Sequence, residues 1–228
     1  MISIVIPVYN GTATLHACLA AIAAQTLRDI EVIVVDDGSP EPLIPVDIPE
    51  LSGRLRWVRQ EHAGAPAARN RGADATRGEL LLFCDADVVL RSHALATMYH
   101  ALREHPEVSF AYPSFRFGWK RFPALPFDPE RLRRMPFIHT TALLRREHFP
   151  RFDPTLARFQ DWDLWLTMLE RGHTGVAIPE MLFTITSTRG TMSRWVPSLL
   201  YRIPWKTARV LAYERARVRI FEKHGIDT

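Results

Sequence analysis

Five short runs rich in aliphatic and β-branched residues recur along the first half of the chain, at 2–8, 31–35, 55–58, 80–84 and 108–112, and helical patterns fill two of the gaps between them. Between the first two runs, TATLHACLAAIAAQT sets Leu15, Cys18, Leu19, Ile22 and Ala23 on one helical face, with Thr12 as the expected N-cap. Between the third and fourth, GAPAARNRGADATRG offers Pro66 at a first helical position and Gly78 as a stop. Strands that alternate with helices cannot all pair as hairpins. They predict an α/β layered fold around a largely parallel sheet, whose ligands gather beyond the carboxyl ends of the strands.

The remaining segments are less regular. Residues 40–53 hold prolines at 40, 42, 45 and 49, so a loop or broken turns are expected there rather than a helix. Residues 113–137, rich in Pro, Phe and Arg, read as an irregular excursion or flap. DWDLWLTMLERG, from Asp161, places Trp162, Trp165, Leu166 and Leu169 on one face of a helix that stops at Gly172. Two short strands are expected near 174–178 and 181–186. The C-terminal part has a helical pattern interrupted at Pro197 and Pro204.

A length of 228 residues with 47% hydrophobic content suffices for one compact domain or one domain with an appendage. The two cysteines, Cys18 and Cys84, are far apart and form no CxxC pair, which argues for a reducing compartment and against a disulfide framework or zinc site. No signal or transit segment and no membrane span is recognised, so a cytoplasmic setting is expected. The net charge of +4 is uneven: residues 189–228 carry nine Arg or Lys against three Asp or Glu, leaving the rest of the chain near −2. This tail is either a basic surface for anionic lipid, nucleic acid or a phosphorylated substrate, or a solvated helix face.

The fourth run drives straight into carboxylates, as LLLFCDADVVL. In an extended chain Asp85 and Asp87 point to one side, and two anions beside a core need a shared cation. Oxygen ligands suit a hard divalent metal, Mg²⁺ or Mn²⁺, and two carboxylates leave room for waters and the phosphates of a nucleoside diphosphate. The alternative is a turn with an Asp cap. Asp161 and Asp163, also two apart, open a helix and therefore diverge by roughly 200°. VIVVDDGS ends a strand in Asp36 and Asp37, able to accept from a base or ribose or to form an Asx-turn. HAGAPAARNRG adds Gly64, for close backbone approach, and Arg69, suited to a diphosphate or else to a solvated face.

Taken together and in this order, IVIPVYN, VVDDGS, GAPAARNRG, FCDADV and FQDWDLWLTMLERG resemble the inverting, nucleotide-sugar-dependent glycosyltransferases of family 2 with the GT-A fold. The resemblance spans residues 1 to about 195. It implies an α/β/α sandwich with a central, mostly parallel mixed sheet, a nucleotide-binding half at about 1–107, an acceptor-binding half at 108–195 and a basic helical extension at 196–228. It implies further that Pro7, Tyr9 and Asn10 line the nucleotide pocket, Asp37 binds the base and Asp36 is structural. Arg69 would hold base or diphosphate, Asp85 would touch the ribose, Asp87 would bind the metal, and Asp161 would be the catalytic base, with Asp163 in a supporting role. His139, in FIHTTALLRRE, and Trp162 fall on the acceptor side.

The implied reaction moves a sugar, from a UDP-sugar in first place, to a hydroxyl on a glycan, a lipid-linked saccharide or a small molecule. Nucleic acid is not an expected partner. Transfer to a polyprenyl phosphate at the inner face of a membrane is the alternative, with Trp195, Trp205, Leu211, Val218 and Phe221 of the tail at the interface. A catalytically decayed nucleotide-binding module is another. A sugar-phosphate nucleotidyltransferase would need a glycine-rich basic loop where NGTATLH stands, and a glycosidase would leave Asp36, Asp37 and Arg69 idle. Two features depart from the family pattern. Thr188 stands where many relatives carry a metal-site His, with Arg189 beside it to meet the diphosphate, and the proline-rich loop replaces a helix after Asp37.

Overall fold

The computed structural model of the chain describes residues 1–186 and 208–227. Its strands are β1 (Ile2–Val8), β2 (Ile30–Asp36), β3 (Leu55–Arg59), β4 (Leu80–Phe83), β5 (Val88–Leu90), β6 (Phe110–Phe117), β7 (Lys120–Phe122), β8 (Leu143–Arg145) and β9 (Gly175–Ile185). Its helices are α1 (Thr12–Ala23), α2 (Ala65–Asp74), α3 (Ala94–Glu104), α4 (Pro129–Arg134), α5 (Gln160–Glu170) and α6 (Ala208–Lys223).

One sheet runs β3-β2-β1-β4-β8-β6-β9-β5, with β7 paired to β6. The first four strands are parallel, β8 is antiparallel to β4 and β6, and β6 runs parallel to β9. The sheet therefore crosses the boundary expected near residue 107 without a break. Every residue of β1 is buried because helices cover both faces. Ile2, Ile4, Ile6 and Val8 join the core under α1 and α3, whereas Val5 joins the core under α2, α4 and α5. Gly72 lets α2 sit against that second face: a Cβ there would lie 2.2 Å from Val5 Cγ1.

Several local expectations are corrected. The N-cap position of α1 is Gly11, one residue before Thr12. Helix α2 ends at Asp74, short of Gly78, whose N–H instead donates to Ser3 Oγ at 2.8 Å and Glu31 Oε1 at 3.0 Å. Residues 113–137 are more regular than their composition suggests, forming the β6–β7 hairpin and α4. Their exposed aromatic and basic residues hid a strand whose neighbours supply its pairing. The two short strands expected after α5 are one, β9, whose pairing with β6 shifts register around Ser114. The proline-rich segment is a loop carrying a single 3-10 turn at Pro49–Leu51.

Helix α6 lies on the second core, which buries Ile220 and Phe221, while Leu211 and Val218 face outward. Thr188, Arg189, Trp195, Pro197, Pro204 and Trp205 lie outside the described residues.

Candidate active site

The carboxyl ends of β1, β2 and β4 deliver their loops to one rim of the sheet, as parallel register requires. Strand β4 stops at Phe83, and Asp85 to Val88 form a turn closed by the Val88 N–H on the Asp85 carbonyl at 2.9 Å. Asp85 and Asp87 are thus brought together by a turn rather than by the extended strand the sequence suggested. Burial and the neighbouring Asp85 charge push the Asp87 carboxyl up to about 6. Burial also pushes Asp85 upward, but Arg69 and His139 outweigh it and hold that carboxyl below its ordinary value.

Arg69 is the hub of the rim. It is buried on α2, with Nη2 2.6 Å from Asp85 Oδ1 and Nη1 2.9 Å from Gln160 Oε1. Its guanidinium lies 5.2 Å from the centre of the Phe152 ring, and its Nε has no partner among the described residues. The alternative of a solvated face is therefore not where Arg69 sits. It ties the β4 turn to the first residue of α5.

Within α5, the two acidic residues of the first turn go separate ways. Asp161 keeps company with His139 and Arg69: burial raises its carboxyl, and His139, the Trp162 N–H and Arg69 only partly oppose the rise. Its Oδ1 accepts from the Trp162 N–H at 2.9 Å. Asp163 turns into the protein, where it meets Nε2 of His224 at 2.9 Å and Nζ of Lys223 at 2.7 Å. Phe159, at the N-cap, is held at φ 59°, a conformation costly for an aromatic residue.

His139 is lowered chiefly by burial, against the pull of Asp85 and Asp161. Its Nδ1 accepts from the Thr141 N–H at 3.0 Å. The neutral ring therefore carries its proton on Nε2. Phe115 and Phe183 stand against it, with ring centres 5.0 and 5.2 Å away.

At the end of β1, Tyr9 is half exposed and its ring centre lies 4.1 Å from that of His62. Asn10, at φ 52°, donates its N–H to Ser39 Oγ at 2.9 Å. Pro7 is buried in register with Val35 and does not line the rim. Asp37, expected at the base, has a carboxylate that is only 2% exposed. It accepts from the N–H groups of Ala63 and Gly64, both at 2.9 Å, and from Gln60 Nε2 at 2.7 Å, with His62 Nδ1 3.0 Å away. The geometry gives it the anchoring of loop 60–64. Asp36 is likewise structural, accepting from Ser39 N–H and Arg59. Gly64 is required by its φ of 88°.

Trp162 does not reach the cleft. It is 1% exposed and donates Nε1–H to the Leu132 carbonyl at 2.6 Å, so its expected acceptor contact gives way to a core role. Sequence reasoning missed Gln160, His62, Lys223 and His224. Gln160 and His62 adjoin motif residues, and that adjacency was the available signal. Nothing local marks the last two.

The sequence profile described as Glycosyl transferase family 2 matches residues 3–163. The chain belongs to this family. This glycosyltransferase is 34% identical over 178 residues to the PGL/p-HBAD biosynthesis glycosyltransferase of Mycobacterium bovis, covering 72% of this chain and 67% of that one. It is 35% identical over 106 residues to the glycosyltransferase GlyA of Streptococcus pneumoniae, of which it spans only 15%. Among solved structures, S. aureus TarS 1–349 in complex with UDP aligns with a TM-score of 0.69 at 18% identity, over 82% of this chain and 60% of that one. The mannosyltransferase PcManGT of Pyrobaculum calidifontis, in complex with GDP-Man and Mn²⁺, aligns with a TM-score of 0.65 at 18% identity, over all of this chain and 64% of its own. The family 2 glycosyltransferase thus has the GT-A fold.

Proposed function

We propose that this protein transfers a sugar from a nucleoside diphosphate sugar, UDP in first place, to an acceptor hydroxyl, with inversion at the anomeric carbon and Asp161 as general base. The observation that carries this reading is the divergence of the two acids of α5. Asp163 is occupied by Lys223 and His224, whereas Asp161 shares the rim with His139, Arg69 and Asp85. A carboxyl raised by burial remains a base but holds a proton more readily, which suits it to removing one from a hydroxyl.

The Tyr9–His62 ring pair offers a surface for the base of the nucleotide. Arg69 supplies positive charge where the diphosphate would depart, without needing to reorganise, because Asp85 and Gln160 already hold it. Asp87, an acid raised to about 6 beside a second carboxylate, fits a divalent cation, Mn²⁺ or Mg²⁺. Among the described residues no third acidic, His or Cys ligand joins the pair. A metal held by Asp87 would therefore complete its shell with water and phosphate oxygens, and its chemistry would be to offset charge on the leaving group. The neutral His139 presents Nε2–H on the acceptor side, where it can orient the hydroxyl that Asp161 deprotonates. The two complexes named above, with UDP and with GDP-Man and Mn²⁺, support the donor class. Such donors suit a cytoplasmic setting, as do the free buried thiols of Cys18 and Cys84. No helix among the described residues is long and apolar enough to cross a membrane.

The test is thermal stability with UDP, GDP and dTDP, each with and without Mn²⁺, for the wild type, Asp87→Asn and Asp161→Asn. A ligand at about one hundred times its Kd adds about 2.7 kcal/mol. The reading expects a metal-dependent shift that Asp87→Asn removes. Asp161→Asn should keep the shift and lose turnover of the matching sugar nucleotide by about 10²–10⁴-fold. Absence of any nucleotide shift in the wild type would sink the proposal.

A further inference from the structure

At the tip of the β6–β7 hairpin, Trp119 is 91% exposed, the most exposed large hydrophobic side chain among the described residues. Arg116, Lys120 and Arg121 around it are also exposed. Arg116 and Arg121 sit opposite each other in the hairpin, and among the described residues neither side chain makes a hydrogen bond or ion pair. An added Cβ on Gly118 would meet open space, so among the described residues the tip is convex and no wall encloses it. Residues 116–134 carry six Arg or Lys against two Asp or Glu, a net +4 that equals the formal charge of the whole chain.

Sheet register fixes where this tip stands. Thr186 N–H donates to the Asp87 carbonyl at 2.8 Å, and Gly118 N–H to the Ile185 carbonyl at 3.3 Å. One row thus crosses the sheet through Asp87, Thr186 and Gly118, and with neighbouring strands about 4.8 Å apart the tip lies about 10 Å from the Asp85–Asp87 turn. The hairpin is braced against that rim. Phe115 stacks on Phe122 at 4.8 Å and on Phe183 at 5.0 Å, and His139 packs against Phe115 and Phe183.

We propose that this hairpin docks the protein on an anionic lipid surface, with Trp119 entering the interfacial layer and Arg116 and Arg121 meeting the headgroups. Among the described residues, this indole has no second surface with which to grip a soluble sugar. It does match the headgroup region, where Trp is favoured and cations beside it are attracted to acidic lipid. Docked this way, the rim that holds Asp87 and His139 would open towards the bilayer. The inference requires no transfer reaction and stands apart from the donor reading.

The experiment is co-sedimentation of the full chain with phosphatidylcholine vesicles, with and without phosphatidylglycerol, at low and high salt. The expected result is salt-sensitive binding that requires the anionic lipid. The double variant Arg116→Ala/Arg121→Ala should weaken it about 25-fold, at about five-fold per cation. Trp119→Ala should also weaken binding, and Arg103→Glu on α3 should not. All these side chains are exposed, so unchanged Tm values are expected for every variant. The proposal is overturned if the wild type ignores anionic vesicles or binds neutral ones equally. It is also overturned if the hairpin variants bind like the wild type while Arg215→Glu/Arg217→Glu on α6 abolishes binding. A Trp119→Ala defect confined to the KM for a soluble acceptor, with vesicle binding intact, would assign the tip to acceptor recognition instead. None of these outcomes depends on the nucleotide shift, which tests the transfer reading separately.

Discussion

Asp163 and His224 lie 61 residues apart in sequence and are joined by a 2.9 Å hydrogen bond between Oδ1 and Nε2. The other ring nitrogen of His224 meets Glu170 Oε1 at 2.6 Å, so the imidazole bridges both ends of α5. Its side chain is 2% exposed, and Lys223 shares the Asp163 oxygen at 2.7 Å.

This clamp gives stability a pH dependence of definite sign. Burial lowers the His224 pKa, but its bonds to Asp163 and Glu170 and their charges more than reverse that, so the folded value is raised. Its stabilising effect is complete below the unfolded pKa of about 6.5 and is lost as pH rises through the folded value. Melting temperature should therefore fall over that interval in the wild type. In His224→Gln the fall should be absent and Tm lower at pH 6, as a calorimetric pH series would show.

Asp87→Asn should stabilise the protein in the absence of metal and nucleotide. The wild-type carboxyl, raised to about 6 by burial and Asp85, is ionised at neutral pH at a cost to the fold. The gain in Tm should be absent below the ordinary carboxylate value of about 4, grow as pH rises from there to about 6, and be complete above it. Unchanged Tm at pH 7.5 would show that Asp87 carries no such strain.

Arg69→Ala should destabilise by about 3 kcal/mol, at the low end for a broken buried pair because Asp85 is partly exposed. Adding Asp85→Asn should recover part of the loss, since the stranded carboxylate is then neutral. Urea titrations of the two single variants and the double variant give the coupling energy, and strict additivity would contradict the pairing.

Gly72→Ala should cost about 1–3 kcal/mol, because its methyl group would overlap Val5 Cγ1 and press on Val35. The denaturation midpoint measures this. Nucleotide binding should weaken in parallel, because the same helix carries Arg69.

Much of this architecture was legible in the residues. The alternation of apolar runs with helical patterns predicted the parallel half of the sheet, since both signals are local. The second half depended on pairings between distant segments. Strand β8 is three residues long and β5 opens beside two carboxylates, and neither has enough period to announce itself. The opposed directions of Asp161 and Asp163 followed from helix geometry alone, but the groups that occupy Asp163 could not, because they arrive from α6. Asp37 shows the converse. Its motif position suggested a ligand contact, and only the fold reveals that loop 60–64 saturates its carboxylate.

The arrangement around Asp163 also bears on synthesis. By the time residue 186 has left the ribosome, every motif of the rim has been made, and the family profile is already satisfied at 163. Lys223 and His224 are still to come. Until they emerge, α5 has a buried acid with neither partner to meet it, so a chain interrupted in that interval would carry the family signature without the brace that holds α5.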